Sequence, residues 1–314
     1  MKLSVMVITY NHERFLAQTL ESILAQQVNF EYEVLVGEDC STDGTRDVIE
    51  TFRRRYPKQI VPVIREQNVG AMRNFQETLG ACSGQYVALL EGDDFWTCRD
   101  KLQRQVDFLE ANPDCAIACH RAHFLDETKG GQDGVFPRIP AGTYTLDYLL
   151  SGNFIMTCTA VCRWEAFGRL PDWFLDLSLG DWPLFALLAR RGTINLMDEA
   201  MATYRVHPGG MWSSRTEAGR LQECIRMLKI LNKELDFEHA ITIRNTIARF
   251  YRYWGEDSQR SRNRAQTAKC IMHSLRHGGA ALPGGLWSFR GLIAYALFGS
   301  WYELAAQNRK TNGS

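Results

Sequence analysis

The chain lacks both common glycine-rich phosphate loops. Gly-x-Gly-x-x-Gly does not follow its first apolar run, residues 3–8, and Gly-x-x-x-x-Gly-Lys-Ser/Thr does not occur. The first pattern binds a dinucleotide pyrophosphate at a helix N-terminus, and the second holds nucleoside phosphates. Their absence disfavours a dinucleotide cofactor and excludes a P-loop enzyme.

The chain also has no net charge: 36 Lys and Arg balance 36 Asp and Glu. A nucleic-acid protein carries a basic excess, so we expect no nucleic-acid partner. The charges are unevenly distributed. From Arg215 onward there are 16 basic and 8 acidic residues, against 20 and 28 before it. The acidic front half suits a cation site, and the basic remainder suits an anionic surface.

Cysteines are too few and too scattered, nine in 314 residues, for a disulfide framework. We therefore expect reduced thiols and a cytoplasmic protein, and a strand begins too soon after Lys2 for a signal peptide. The segment from Cys115 to His123, with Cys119 and His120, has the residue types of a zinc site. The alanines and isoleucine between the cysteines favour a buried strand instead.

Long hydrophobic runs are missing as well. The most apolar stretch near the C-terminus has 12 uncharged residues between Arg290 and Glu303. A spanning helix needs about 20 residues. Two alternatives remain for the segment from Trp287 to Trp301. It packs on its own domain or a homodimer partner, or it lies at a membrane surface among basic residues.

The most informative feature is an acidic cluster, Glu91-Gly92-Asp93-Asp94, which directly follows the apolar residues 86–90. Three carboxylates at the end of a buried strand repel one another and are costly to desolvate. A divalent cation removes that problem, because Mg²⁺ and Mn²⁺ take oxygen ligands. The alternative is an acidic turn at a helix N-terminus.

Apolar runs alternate with helical patterns through the first hundred residues. Strands are predicted at 3–8, 32–36, 60–64 and 86–90, with helices beginning near residues 13, 45 and 70. This βαβαβαβ order predicts an α/β fold with a doubly wound, mostly parallel sheet flanked by helices. Pro62 indicates that the third strand lies at an edge.

The remainder is predicted from weaker patterns. We expect a helix at 99–112, a strand at 116–122, a loop at 126–142, a strand at 153–163, a helix at 181–191 and two strands at 193–197 and 200–206. Helical spacing dominates from 216 to about 277. We expect a domain of residues 1–215, divided into 1–98 and 99–215, and a helical C-terminal region of 216–314.

Small polar residues follow each of the first four strands. They are Thr9-Tyr10-Asn11, Glu38-Asp39, Asn68-Val69-Gly70, and the acidic cluster. The carboxyl ends of parallel strands lie at one edge of a sheet, where open α/β proteins bind their ligands. A ligand site is therefore predicted at that edge.

These pieces, in this order and spacing, resemble the family 2 glycosyltransferases of the GT-A fold. The resemblance covers about residues 1–212. It rests on Val7-Ile8-Thr9-Tyr10-Asn11, the run from Glu38 to Thr45, Asn68-Val69-Gly70 with Arg73-Asn74, and the acidic cluster. Gly180-Asp181-Trp182 and Tyr204-Arg205-Val206-His207 extend it.

The resemblance implies a nucleotide-sugar donor, here a UDP-sugar, and a divalent Mn²⁺ or Mg²⁺. It assigns the donor site to residues along the sheet edge, namely Thr9, Tyr10, Asn11, Glu13, Asp39, Asn68, Arg73, Glu91, Gly92 and Asp93. Asp93 is the first choice as cation ligand. Asp94 would either ligate the metal or steady the adjacent turn, and His207 would either complete the cation shell or touch the diphosphate. Asp39 would accept an N–H of the base, and Arg205 would contact either phosphate or a salt-bridge partner.

Asp181 is identified, by the same resemblance, as the general base of an inverting transfer. A sugar hydroxyl needs a carboxylate to take its proton as it attacks, while a cation neutralises the leaving diphosphate. The implied acceptor is a glycan or lipid-linked hydroxyl in surface polysaccharide or glycolipid assembly, at the inner face of the cell membrane. Gln-x-x-Arg-Trp of processive synthases is missing, which favours single transfers.

Two other functions remain open from the sequence. A nucleotidyltransferase also joins such a sheet to a cation and a nucleotide, but it would carry a Gly-rich basic loop where Tyr10-Asn11-His12-Glu13 stands. The second alternative is a non-catalytic nucleotide-sugar-binding scaffold, which would not need Asp93 and Asp181.

Overall fold

The computed structural model describes residues 1–128, 130–164, 170–279 and 289–298. They form two compact units. The first comprises Met1–Leu149 and Asn153–Ser213, and the second comprises Leu150–Gly152 and the described residues from Ser214 onward. All nine cysteines are free.

The first unit is built on one sheet of ten described strands. They are β1 (Leu3–Thr9), β2 (Tyr32–Glu38), β3 (Ile60–Ile64), β4 (Tyr86–Glu91), β5 (Phe95–Trp96), β6 (Cys115–Asp126), β7 (Gly131–Phe136), β8 (Gly142–Tyr144), β9 (Val161–Arg163) and β10 (Thr193–Val206). Their main order is β3-β2-β1-β4-β9-β6-β10-β5. The first four strands are parallel and β3 is at the edge, as predicted, whereas β9 runs antiparallel to both its neighbours.

The helices of this unit follow the strands. They are α1 (Leu16–Leu24), α2 (Thr45–Arg55), α3 (Ala71–Gly80), α4 (Lys101–Ala111), α5 (Leu146–Ser151) and α6 (Asp181–Ala189); the last two residues of α5 belong to the second unit. The apolar stripe of α1, with Leu16, Leu20 and Ile23, is fully buried against the sheet residues Val5 and Val34 in one core cluster. The α/β class and the flanking helices are confirmed.

Three predicted elements differ from the structure. The expected loop at 126–142 contains β7, which forms a hairpin with β6 in which Phe136 packs edge-on against Phe124. The expected strand at 153–163 is reduced to β9. Asn153 Oδ1 accepts from the backbone N–H of Ile155, and such local bonds compete with a strand. The two strands expected at 193–206 are one strand, β10, with register shifts between Met197 and Ala202.

The segment that has the residue types of a zinc site is part of the sheet core. Cys115 and Cys119 are buried in β6, and their thiols contact the carbonyls of Thr193 and Asn195 on β10. Within the described ranges, these residues are not part of a cluster of potential metal ligands. The favoured interpretation as a buried strand agrees with this placement.

The second unit is helical where the structure describes it, with α7 (Glu217–Glu234), α8 (Ala240–Arg260), α9 (Arg264–Arg276) and α10 (Arg290–Phe298). Thr216 caps α7 by accepting from Gly219 N–H, and Asn263 caps α9. Trp287 and Trp301 lie outside the described residues. None of the helices in the described part of the chain is long and apolar enough to cross a bilayer.

Lys101, at the start of α4, is a buried cation in the core of the first unit. Its side chain has no exposed surface, its Nζ lies 4.1 Å from the centre of the Trp96 ring, and it makes no hydrogen bond within the described structure. Burial lowers the pKa of Lys101 to about 7. Between about pH 7 and the ordinary lysine pKa of 10.5, the Lys101 amine is therefore protonated in the unfolded chain and unprotonated in the folded chain.

We expect Lys101→Met to stabilise the protein, on the order of 2–4 kcal/mol at pH 7, because Met fills a similar volume without a charge to desolvate. The gain shrinks as pH rises toward 10, where the unfolded lysine also loses its proton. Urea unfolding at several pH values measures it. The exposed Lys58→Met is the control; an equal gain in both variants, or one independent of pH, contradicts the explanation.

Candidate active site

The carboxyl ends of β1, β2 and β4 lie side by side. Ile8 pairs with Glu91 across one strand boundary, and Thr9 pairs with Glu38 across the other. A cavity of about 350 Å³ opens at this edge. Six of the predicted donor-site residues line it: Thr9, Tyr10, Asp39, Asn68, Glu91 and Asp93.

Three side chains in this region form a cluster of potential metal ligands. His207 Nε2 lies 3.0 Å and His12 Nε2 lies 3.9 Å from Asp93 Oδ2. One ligand atom from each residue lies within 4.8 Å of the others. Phe15 packs against the His207 ring with centroids 4.8 Å apart, which restrains the imidazole.

The charge states suit metal ligation. Burial lowers the pKa of His12, so its imidazole is neutral near pH 7 and offers a lone pair. Burial acts to raise the pKa of Asp93, but the hydrogen bond from His207 and the nearby His12 outweigh it, and the pKa is lowered. A divalent transition metal accepts imidazole nitrogens beside a carboxylate oxygen, whereas Mg²⁺ prefers oxygen ligands alone.

Gly92 leaves the space in which this cluster forms. A Cβ at Gly92 would lie 2.8 Å from His12 Nδ1 and 2.8 Å from Thr9 Oγ1. Both atoms are buried without a hydrogen-bond partner in the described structure. A side chain at residue 92 therefore displaces His12 or Thr9.

Asp94 binds the backbone of β10 rather than joining the cluster. Its Oδ1 accepts from Arg205 N–H at 2.8 Å. Each nitrogen of the Arg205 guanidinium also donates a hydrogen bond: Nε to the Asp93 carbonyl, and the two terminal nitrogens to Glu127 and Gln18. Of the two roles left open for Arg205, this network favours the salt-bridge partner.

Glu91 and Asp94 sit in surroundings that oppose ionisation. Burial, followed by the charges of Asp93 and Asp181, raises the pKa of Glu91 to about 8. Burial, Asp93 and Glu91 raise the pKa of Asp94 well above its ordinary value. The acidic cluster therefore holds one ionised carboxylate, Asp93, between two that favour protons.

Asp39 organises the loop before α3. Its two carboxylate oxygens accept from Val69 N–H at 2.7 Å and Gly70 N–H at 2.9 Å, and Asn68 Nδ2 donates to its carbonyl. Gly70 has φ +86°, which favours glycine. Each carboxylate oxygen keeps a further lone pair, so Asp39 can still accept an N–H from a ligand.

Asn11 and Glu13 hold the turn before α2 and do not line the cavity. Asn11 Oδ1 accepts from Thr42 N–H, and Glu13 Oε2 accepts from Gly44 N–H, both at 2.9 Å. α1 begins at Leu16 rather than at residue 13, after a turn in which the His12 carbonyl accepts from the N–H groups of Phe15 and Leu16. Arg73 lines a separate cavity with Gln76 and Trp164, while its neighbour Asn74 lines the site.

Asp181 begins α6 and is held by Asn153, whose Nδ2 donates to its Oδ2 at 3.0 Å. Burial raises the pKa of Asp181, against the lowering effect of this hydrogen bond. Its charge is one of the causes of the raised pKa of Glu91, after burial and Asp93.

Four residues of the site were missed by the sequence interpretation. His12 was assigned to a turn, although a histidine directly after the first strand could have been weighed with His207 as a ligand. Asn153 gave no local signal, because its partner lies 28 residues later. Met211 and Trp212, which line the cavity, follow a glycine-rich turn whose position only the fold determines.

This combination of sheet and site defines the fold class. TarS of S. aureus in complex with UDP-GlcNAc superposes with a TM-score of 0.57 over 88% of this chain and 92% of that one, at 18% identity. A mannosyltransferase of Pyrobaculum calidifontis, PcManGT in complex with GDP-Man and Mn²⁺, gives 0.57 over 100% and 88%, at 16% identity. The chain has the GT-A fold of glycosyltransferases.

The sequence comparison gives the family. Residues 4–170 match the family described as Glycosyl transferase family 2. The putative teichuronic acid biosynthesis glycosyltransferase TuaG of Bacillus subtilis is 30% identical over 69% of this chain and 84% of its own length. The uncharacterized protein Rv1520 of Mycobacterium tuberculosis is 35% identical over 68% of this chain, a match that spans 61% of that protein. The chain belongs to glycosyltransferase family 2, a family of transferase enzymes.

We expect Gly92→Ala to weaken Mn²⁺ binding at least tenfold without unfolding the protein, because the added Cβ displaces His12 from Asp93. Calorimetric titration with Mn²⁺ measures the change. Gly80→Ala is the matched control, since a Cβ there has nothing within 4 Å. Unchanged Mn²⁺ affinity in Gly92→Ala shows that the gap at residue 92 does not serve the cluster.

Proposed function

We propose that this protein is a metal-dependent, inverting glycosyltransferase. It transfers a single sugar from a nucleotide-sugar donor, a UDP-sugar, to a hydroxyl of a glycan or lipid-linked acceptor in polysaccharide assembly. The observation that carries the proposal is the convergence of His12, Asp39 and Asp93 at one cavity at the carboxyl edge of the sheet, with His207 in contact with Asp93.

The donor would occupy that cavity. Asp39, with its free lone pairs, would accept an N–H of the base, and Thr9, Tyr10 and Asn68 would contact the nucleoside. His12, Asp93 and His207 would hold Mn²⁺, which when bound neutralises the charge of the leaving diphosphate. The names of two GT-A neighbours support this assignment, because they report UDP-GlcNAc bound to TarS and GDP-Man with Mn²⁺ bound to PcManGT.

Asp181 would accept the proton of the attacking hydroxyl. Its raised pKa makes the carboxylate a stronger base than an exposed aspartate, and Asn153 keeps one oxygen oriented. Attack from the face opposite the leaving group inverts the anomeric carbon. Residues 1–98 would hold the donor and 99–215 the acceptor, while the helical region 216–314 would contact the inner face of the membrane or a second copy of the chain.

Replacing either key aspartate should separate chemistry from donor binding. We expect Asp181→Asn to lower transfer about 10²–10⁴-fold with donor affinity retained, because only the base is lost. Asp93→Asn should instead abolish the Mn²⁺ dependence of donor binding. Calorimetry with UDP-, GDP- and dTDP-sugars, each with and without Mn²⁺, measures binding, and NMR of the product reports the anomeric configuration.

The alternatives give other results in the same assays. Donor binding with no transfer by the unchanged protein indicates a nucleotide-sugar-binding scaffold. Release of pyrophosphate from a nucleoside triphosphate and a sugar phosphate indicates a nucleotidyltransferase. Retention at the anomeric carbon contradicts inversion, and full transfer by Asp181→Asn contradicts its role as base.

Asn153 provides a test through pH. Its N–H favours the ionised form of Asp181, so Asn153→Ala should raise the Asp181 pKa and move the acid limb of kcat upward by about one pH unit. Asn153→Asp keeps the acceptor for Ile155 N–H but adds a like charge, so the shift should be larger. Profiles of kcat against pH at saturating donor measure both; an unmoved acid limb in both variants means that Asp181 does not set it.

A further inference from the structure

A basic groove lies between α7 and α8 in the helical unit. Its volume is about 400 Å³, and Arg226, Lys229 and Lys233 contribute all of its charged lining residues within the described structure. The three cations are exposed. Spaced three and four residues apart, they lie along one face of α7, where like charges destabilise a helix by a few tenths of a kcal/mol per pair. Arg226 also has a surface ion pair, at 4.0 Å, with Glu223 one turn earlier, and such a pair contributes little. An anionic ligand removes that repulsion.

The groove is apolar between its charges. Ile225 and Ile230 come from α7, and Tyr251 and Trp254 come from α8 one turn apart. Ile230 and Trp254 are partly exposed. The aliphatic parts of lysine and arginine often lie beside indole and aliphatic side chains on protein surfaces that bind the polar boundary of a membrane. There the charged end of each side chain is hydrated and the rest contacts apolar groups.

The aromatic rings of the groove are engaged with one another. Tyr251 stacks at 6.1 Å on Trp254, and its ring also stacks at 4.8 Å on His273 and 5.9 Å on His277, with interplanar angles of 13–20°. Lys229 Nζ lies 5.9 Å from the same ring. A sugar would need a free ring face to stack upon, and Tyr251 has none to offer. Of the two aromatic rings in the groove, Trp254 is therefore the one that a ligand can reach.

We infer that this groove binds the anionic phospholipid headgroups of a membrane surface. Arg226, Lys229 and Lys233 contact lipid phosphates, and Ile230 and Trp254 reach the boundary of the acyl chains. The inference rests on the membrane contact proposed above for the region 216–314 and assigns it to a specific surface. It needs none of the residues that line the donor cavity.

Vesicle co-sedimentation tests the groove with the full-length protein. One set of vesicles is phosphatidylcholine alone, and in the other a third of the lipid is phosphatidylglycerol. We expect binding to the anionic vesicles that weakens as salt rises. Arg226→Gln, Lys229→Gln and Lys233→Gln combined should lower it about a hundredfold, from about fivefold for each cation near an anionic surface.

The matched control removes three exposed cations of the same unit that do not line the groove: Arg244→Gln, Lys269→Gln and Arg276→Gln. It should retain most of the binding. Trp254→Ser should weaken binding at low and high salt alike, and Trp254→Phe should restore it. Circular dichroism on each variant confirms that the helices are intact.

Three results overturn the inference: no preference for anionic vesicles, equal loss in the two triple variants, or polygalacturonate binding as tightly as vesicles with no dependence on Trp254. The last identifies a site for a soluble polyanion. Donor binding with Mn²⁺, measured on the same samples, should not change. Vesicle binding without donor binding contradicts the proposed function alone, and donor binding without vesicle binding contradicts the groove alone.

Discussion

The carboxyl groups of Glu91, Asp93 and Asp94 lie together at the end of the buried strand β4, and the rest of the site depends on how the chain holds them there. Arg205 is central to the solution: its backbone N–H binds Asp94, and its guanidinium binds the Asp93 carbonyl. With Asp94 and the main chain fixed to β10, only the Asp93 carboxylate points to His12 and His207. The repulsion among the three carboxyl groups is relieved in this way, and Asp93 remains as one ionised acid between the imidazoles of His12 and His207.

This arrangement connects distant parts of the chain through the sheet. His12 follows β1, Asp93 follows β4 and His207 follows β10, so the cluster forms only when strands far apart in sequence are in place. Asp39 joins through β2, and its hydrogen bonds shape the loop that enters α3. The polar groups of the site thus contact one another as well as being candidate ligands. These contacts restrain them before any substrate binds.

The sequence was sufficient for the parts governed by local periodicity. Alternating apolar runs predicted the four parallel strands, the edge position of β3 and the site at their carboxyl ends. It was weaker where distant residues decide the outcome. Nothing near residue 153 shows that Asn153 meets Asp181, and β9 is short because local side-chain bonds displace its first half. Asn74 lines the cavity and Arg73 does not. Which of the two faces the cavity depends on the rotation of α3 about its axis, and a pattern of apolar residues determines that rotation only coarsely.

The central proposal is the direct coordination of a cation by His12, Asp93 and His207. Electron spin-echo envelope modulation of Mn²⁺, bound to the protein together with a nucleoside diphosphate, detects nitrogen nuclei coordinated to the metal. We predict couplings from two imidazole nitrogens, reduced to one by either His12→Ala or His207→Ala and unaffected by substitution of the half-buried His239, which lies outside the cluster. A Mn²⁺ spectrum without nitrogen coupling would contradict it.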